Sequence, residues 1–132
     1  MTTHMKKLFK KIGLDNYQST ILEYLIKNGE NKPSQLSQIL DIKRPTVYKA
    51  LYELEELQLV KRHQVENSDD LFFKAKSPYF LKEHITKRRQ KIESLEKEFD
   101  SQYAQIIEMF MFNHKEPVID IKHGIDGLKE IH

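Results

Sequence analysis

Residues 32–63 read KPSQLSQILDIKRPTVYKALYELEELQLVKRH, and this segment is the most informative about the fold of the chain. Its apolar positions recur at helical spacing and predict one helix from about Ser34, which we interpret as its N-cap, and another over Arg44–Leu57. A turn at Asp41-Ile42 separates them, and Pro45 suits the first turn of the second helix. Two short helices joined in this way are typical of a helix-turn-helix, in which the second helix enters the major groove of DNA.

A β-hairpin is predicted directly after the second helix. Leu59–His63 and Leu71–Ala75 have the composition of strands, and the polar run Glu66–Asp70 between them indicates a turn. Asp15 is a good N-cap for a preceding helix that ends before Gly29. The pattern predicts a mainly α fold with a small β-hairpin wing, which is a winged helix-turn-helix domain over residues 1–76.

The apolar stripes of the three helices predict the core. Each helix has side chains at i, i+3 and i+4 spacing that we expect to be buried together. These side chains are Tyr17, Ile21, Leu22 and Leu25 in the first helix, Leu36, Ile39 and Leu40 in the second, and Val47, Leu51 and Leu54 in the third.

A long helix is predicted over residues 77–114, opened by Ser77-Pro78. It has a heptad pattern interrupted by Arg88 and Gln102, and it is too long to bury its apolar stripe on a domain of this size. We therefore expect a coiled-coil-like dimerisation helix that pairs with a second copy, giving a homodimer, although the stripe is also suited to a different partner protein. The expected dimerisation residues are Leu81, Ile85, Ile92, Leu95, Phe99, Ile106 and Met109.

The pattern changes again in the last part of the chain. Residues 118–122 alternate like a strand, Gly124 interrupts them, and a helical pattern starts at Asp126. We interpret residues 115–132 as the start of a truncated C-terminal domain.

Composition sets limits on the function. The 132-residue chain has no cysteine and a net charge of +2, with 13 Lys and Arg against 10 Asp and Glu in residues 1–80. The lack of cysteine excludes a disulfide framework and a thiolate metal site, and it fits a reducing cytoplasm. No apolar run approaches the roughly 20 residues that span a bilayer, and no apolar stretch follows the basic N-terminus as in a secretory signal. We expect a cytoplasmic protein with no membrane partner.

The sequence contains no pattern typical of catalysis. The six histidines include no pair at i, i+4 spacing, and no cysteine joins them, so a metal site is not expected. There is no glycine-rich phosphate loop and no nucleophile motif. We expect no catalytic residue, no cofactor and no metal ion.

The start of the second helix of the helix-turn-helix is the predicted contact with DNA. Arg44, Thr46 and Lys49 project from its first turns, where they would reach base edges or phosphates. The alternative is that this face is only a solvated polar surface, in which case the protein would be a winged-helix adaptor for other proteins without DNA binding. The complete set of candidate DNA-binding residues is Ser34, Gln35, Lys43, Arg44, Thr46, Tyr48, Lys49, Lys61 and Arg62.

Several segments of the chain are similar to one family of regulators. They are Ile12-Gly13-Leu14 with Tyr17, the run from Ile42 to Tyr48, the run from Leu57 to Val60, Ser77-Pro78, and Pro117-Val118 followed by residues 123–128. Together they resemble the N-terminal region of the TrmB-type transcriptional regulators. The resemblance implies a homodimeric, sequence-specific regulator that binds double-stranded DNA, with a small-molecule effector bound by a C-terminal domain that is essentially missing here.

Three positions depart from the pattern of that family. Gln58 stands where glycine is usual at the exit from the second helix of the helix-turn-helix, which predicts a turn that is either strained or shaped differently. Pro45 replaces a small polar residue and removes one potential phosphate donor. The tip of the wing, Glu66–Asp70, is acidic, which argues against close contact with the minor groove.

Overall fold

The computed structural model describes residues 3–114, which form five α-helices and a two-stranded antiparallel sheet. This confirms the predicted mainly α fold with a β-hairpin wing and a long C-terminal helix. Within the described range, no helix has the length and apolar content needed to cross a bilayer. The predicted start of a further domain at residues 115–132 lies outside the described residues. The elements are α1 His4–Lys11, α2 Asn16–Asn28, α3 Pro33–Leu40, α4 Arg44–Glu56, β1 Val60–Gln64, β2 Leu71–Ala75 and α5 Tyr79–His114.

Helix α2 begins with the predicted Asp15 cap, extended into a capping box. The Asp15 carboxylate accepts from Gln18 N at 2.7 Å, and the Gln18 side chain accepts from Asp15 N at 3.0 Å. Gln18 is thereby buried on the same face as Ile21. The predicted burial of Tyr17 is wrong, since its side chain is 47% exposed. Gln18 takes the core-facing place because its amide finds partners there.

The first helix of the helix-turn-helix, α3, starts earlier than predicted. Lys32 is its N-cap and Pro33 already lies in its first turn, so the prediction that Ser34 caps the helix is wrong. Proline suits this place because its ring fixes a helical φ and no amide loses a partner. The predicted burial of Ile39 is also wrong, as 54% of it is exposed. Leu36 instead faces the core, fully buried.

The turn between α3 and α4 is tightly closed. Asp41 has φ 55° and ψ 51°, a left-handed conformation that aspartate tolerates better than most residues. Ile42 N donates to the Ser37 carbonyl at 3.1 Å, and the Ser37 hydroxyl donates to the Ile42 carbonyl. Ile42 is partly buried against the core. These bonds fix the angle at which α4 leaves α3.

The core lies between the helices and one face of the hairpin. In the hairpin, Arg62 is opposite Phe73 and Lys61 is opposite Lys74. Phe73 faces inward and is fully buried, and its N–H and C=O both bond to the backbone of Asn31 at 2.9 and 3.0 Å. Alternation along the strands therefore places Lys61 and Lys74 on the outer face. The buried apolar side chains are Phe9, Leu14, Ile21, Leu22, Leu25, Leu36, Val47, Ala50, Leu51, Leu54, Leu59, Val60 and Phe73.

The exit from α4 is strained, as the sequence predicts. Gln58 has φ +67°, in the left-handed region where glycine is usually needed. Its N–H donates to the Glu55 carbonyl at 3.0 Å, and its side chain accepts from Lys76 Nζ at 2.9 Å. Both bonds hold the turn in this conformation.

We expect Gln58→Gly to stabilise the protein by about 1 kcal/mol, because glycine adopts this φ without steric cost. In a winged-helix domain of this size the gain would raise Tm by roughly 4–8 °C. The measurement is thermal unfolding followed by circular dichroism. Gln58→Ala is the matched control, since it also loses the bond to Lys76 but keeps the strained backbone. If the glycine variant is no more stable than the alanine variant, the backbone at residue 58 is not strained.

The first turns of α5 belong to the winged-helix unit, which extends to Arg88. Phe80 and Leu81 pack against the core. His84 Nε2 donates to the Ile12 carbonyl at 3.1 Å, and the Arg88 guanidinium lies over Gly13, where any Cβ would overlap it. Arg88, which interrupts the heptad pattern, thus lies beside Gly13 of the same chain.

Candidate nucleic-acid interface

The first turns of α4 present free cationic side chains. Lys43 is the N-cap and Arg44 the first helical residue, and both are exposed. Neither side chain has an ion-pair partner within residues 3–114. The amides of Arg44 and Thr46 have no intrahelical acceptor, and the helix dipole adds partial positive charge at this end. The arrangement is suited to a phosphate or to an acceptor on a base edge.

Lys49, a further predicted contact on α4, has an ion-pair partner. Its Nζ lies 3.0 Å from Glu53 Oε2, and Glu53 Oε1 accepts from Gln18 Nε2 at 2.8 Å. The bond to Glu53 raises the pKa of Lys49. The pKa of Glu53 is lowered, first by Lys49 and then by Gln18. The ammonium is thus charged and exposed, but it is partly neutralised.

Arg62, a predicted phosphate contact on β1, is held against α4. Its Nε and Nη2 donate to the two carboxylate oxygens of Glu55 at 2.8 and 2.7 Å. Its guanidinium carbon lies 5.4 Å from the centre of the Tyr52 ring and 5.5 Å from that of Phe73. The bond to Arg62 lowers the pKa of Glu55, and the same bond raises the pKa of Arg62. Arg62 therefore fastens the hairpin to α4, and its predicted contact with phosphate stays a prediction.

Tyr48 and Tyr52 lie one turn apart on α4, with ring centres 6.0 Å apart. Tyr52 also packs edge-to-face with Phe73, with ring centres 6.3 Å apart, so its ring helps to pack the hairpin against α4. Tyr48 is nearer the free end of the helix and half-buried. Of the two hydroxyls, that of Tyr48 is closer along the helix to Arg44.

The second half of α4 is acidic, a feature that the sequence reasoning did not use. Glu53, Glu55 and Glu56 follow one another within four residues. Carboxylates repel phosphate, so only the first two turns of α4 are electrostatically suited to DNA. The i, i+4 spacing of Lys49 and Glu53 was the signal that would have revealed the pair.

The outer face of the hairpin has its own basic surface. Lys61 and Lys74 are directly opposite, and like charges in such a pair are unfavourable unless an anion or solvent offsets them. His63 lies beside them, with Nδ1 3.0 Å from Glu30 Oε1. At the tip, Asp70 lies 3.8 Å from Lys32 Nζ. The positive charge is thus on the strands and not on the tip.

The predicted contacts at the start of α3 differ in exposure. Gln35 is exposed and Ser34 half-buried. Gln35 N already donates to the Lys32 carbonyl at 3.0 Å. In this turn the amide of Ser34 is therefore the one suited to an anion.

Six of the seven predicted dimerisation residues of α5 are exposed. Leu81 is the exception, because it packs against the core of its own winged helix. Beyond Arg88 no residue of α5 is buried within the described range. The exposed six are Ile85, Ile92, Leu95, Phe99, Ile106 and Met109.

Comparison with known proteins places the winged helix in a family. The protein-family model described as "Sugar-specific transcriptional regulator TrmB" matches residues 8–79. The chain belongs to the TrmB family. The family is described as one of transcriptional regulators. Within residues 3–114 there is no cluster of His, Asp and Glu that would hold a metal ion. Among curated proteins, none matches the chain.

Solved structures share the fold of this TrmB-family chain at low sequence identity. TrmBL2, an archaeal chromatin protein described as showing a novel mode of DNA binding, is 15% identical with a TM-score of 0.67. The match covers 89% of this chain but 46% of TrmBL2, so the chain spans less than half the length of that protein. A Methanosarcina mazei Go1 protein described as a possible transcriptional regulator is 18% identical, with 75% and 88% of the two chains covered and a TM-score of 0.59. A transcriptional regulator from Thermotoga maritima is also 18% identical, with 85% and 87% covered and a TM-score of 0.52.

Proposed function

We propose that the protein is a homodimeric transcriptional regulator that binds specific DNA sequences by placing the first two turns of α4 in the major groove. The observation that supports this most directly is the exposure of Lys43 and Arg44, which have no ion-pair partner within residues 3–114, at the N-terminus of α4 in a TrmB-family winged helix. Arg44 would bond to a guanine edge, and Thr46 and Tyr48 would contact bases or phosphates. Lys61 and Lys74 would contact the backbone from the hairpin.

The experiment is a gel-shift assay with genomic DNA fragments at two salt concentrations. We expect retarded complexes whose affinity falls steeply with salt, because most contacts would be to phosphate. Selection of particular fragments at the higher salt would show sequence specificity. A chain that binds no DNA even at low salt would instead support the adaptor alternative.

The dimer is proposed from the exposed stripe on α5. Large apolar side chains that are exposed within the described part of the chain favour burial against a second copy. Two copies of α4 that contact one face of DNA need a separation of about 34–36 Å or a multiple of it. The dimer would thus set the spacing of the two half-sites.

We expect Leu95→Glu to convert the dimer to a monomer, because the substitution places a carboxylate in the middle of the apolar stripe. Sedimentation or light scattering of the 132-residue chain measures the mass. Glu96→Gln, one residue further along the exposed helix, is the control and should stay dimeric. An unmodified chain with the mass of a monomer would reject the dimer.

The remaining expectations follow from DNA binding and from the family. A regulator acts where the DNA is, which supports the expected location in the cytoplasm. A small-molecule effector is suggested by the resemblance to TrmB-type regulators, and residues 115–132, which would lead to the domain that binds it, lie outside the described part of the chain.

A further inference from the structure

The pair formed by Lys49 and Glu53 is unusually well held for an exposed helix. An i, i+4 pair in which lysine precedes glutamate is weaker than one in which glutamate comes first. It stabilises an isolated helix by only about a few tenths of a kcal/mol. Here Glu53 is fixed from its other side by the Gln18 amide at 2.8 Å. Gln18 is itself 9% exposed and locked in the capping box with Asp15. The carboxylate is therefore anchored on α2 while it faces the DNA-contacting half of α4.

An anchored carboxylate changes what Lys49 contributes to DNA binding. Nonspecific affinity depends on how many cationic side chains replace counterions on the phosphates. A lysine whose charge is largely offset by a fixed carboxylate releases little net counterion when DNA arrives. Contacts to base edges depend far less on this exchange.

We propose that Glu53 is a specificity-determining residue of the DNA interface, because its carboxylate holds the Lys49 ammonium and so lowers nonspecific attraction to phosphate more than recognition of bases. The inference rests on the proposed function. What matters for a regulator is the ratio of specific to nonspecific affinity, since nonspecific sites vastly outnumber the operator. Glu53 raises this ratio because it weakens the affinity for nonspecific DNA.

The test is a double-mutant cycle of Glu53→Gln and Lys49→Ala in the full chain, with a short duplex of random sequence as the probe. Glutamine keeps the size of the side chain and still accepts from Gln18, but it releases Lys49. The slope of log affinity against log salt should steepen by about 0.9 in Glu53→Gln. The variant would then lose roughly 3- to 4-fold more affinity than the unmodified chain when salt rises from about 50 to about 200 mM.

Lys49→Ala should leave the slope of the unmodified chain nearly unchanged, but should reduce the slope of the Glu53→Gln chain by about 0.9. Glu56→Gln is the matched control, because Glu56 is exposed on the same helix and has no ion pair within residues 3–114. It removes a carboxylate without releasing a lysine. In that background Lys49→Ala should again have almost no effect on the slope.

Two results would overturn the proposal while DNA binding itself stands. One is a decrease of about 0.9 in the salt slope when Lys49→Ala is made in the unmodified chain, which would mean that Lys49 is free to bind phosphate. The other is an unchanged slope in Glu53→Gln. Failure of the unmodified chain to bind the duplex at low salt would reject the proposed function instead, and the inference with it.

Discussion

Phe73→Ala is expected to destabilise the winged helix by about 3–5 kcal/mol, a large part of the total stability of a small domain. Phe73 is fully buried, and its ring is where the hairpin joins the helical core. Alanine would leave a cavity and remove the ring contacts with Tyr52 at 6.3 Å and with the Arg62 guanidinium at 5.5 Å. Urea denaturation followed by circular dichroism measures the change.

Phe72→Ala is the control for this substitution. Phe72 is adjacent in the same strand, but it faces outward beside His63 and is only partly buried. Its loss should cost at most about 1 kcal/mol. Equal effects at both positions would mean that the hairpin does not pack on the core through Phe73.

Arg44→Ala is expected to weaken specific DNA binding by about 1–3 kcal/mol, or roughly 5- to 150-fold. The guanidinium is exposed at the start of α4 and has no ion pair within residues 3–114, so it is free to bond to a guanine edge in two places. Titration of the preferred fragment and of a random duplex at one salt concentration measures both affinities. The specific affinity should fall more than the nonspecific one.

Two further variants separate the roles at this end of the helix. Arg44→Lys keeps the positive charge but loses the planar pair of donors. Compared with Arg44→Ala, it should restore the nonspecific affinity but not the preference for the specific fragment. Lys43→Ala should weaken binding to all sequences about equally and reduce the salt slope by about 1. If the Arg44→Ala chain still prefers the specific fragment over the random duplex to the same extent, Arg44 does not contact the bases. Its contribution would then be limited to phosphate contacts.

Local patterns in the sequence were enough to predict the elements of the fold. Asp15 and Gly29 bound α2, Ser77-Pro78 precedes α5, and the alternation after Leu57 predicts the hairpin, because caps, prolines and side-chain periodicity act within a few residues. The substitution of Gln58 for glycine likewise predicted strain that the backbone shows.

Burial at the edge of each stripe was harder to predict. Tyr17 and Ile39 were expected in the core and are exposed, whereas Gln18 is buried. Periodicity defines a face only to within about a quarter turn, and which edge residue is covered depends on the neighbouring helix. Gln18 is covered because Asp15 and Glu53 satisfy its amide, and Glu53 comes from another helix.

The winged helix-turn-helix and the long helix after it can be predicted from the sequence, since their elements follow from interactions between near neighbours. Which cationic side chains lack an ion-pair partner within residues 3–114 depends in part on tertiary contacts. Lys43 and Arg44 have no ion pair within residues 3–114, while Lys49 is held by Glu53 and Arg62 by Glu55. The Arg62 pair joins a strand to a helix, and the Lys49 pair depends on Gln18 of a third element. The i, i+4 spacing indicates the Lys49 pair, whereas the pairing of Arg62 with Glu55 and the bond from Gln18 to Glu53 join different elements and depend on the tertiary structure.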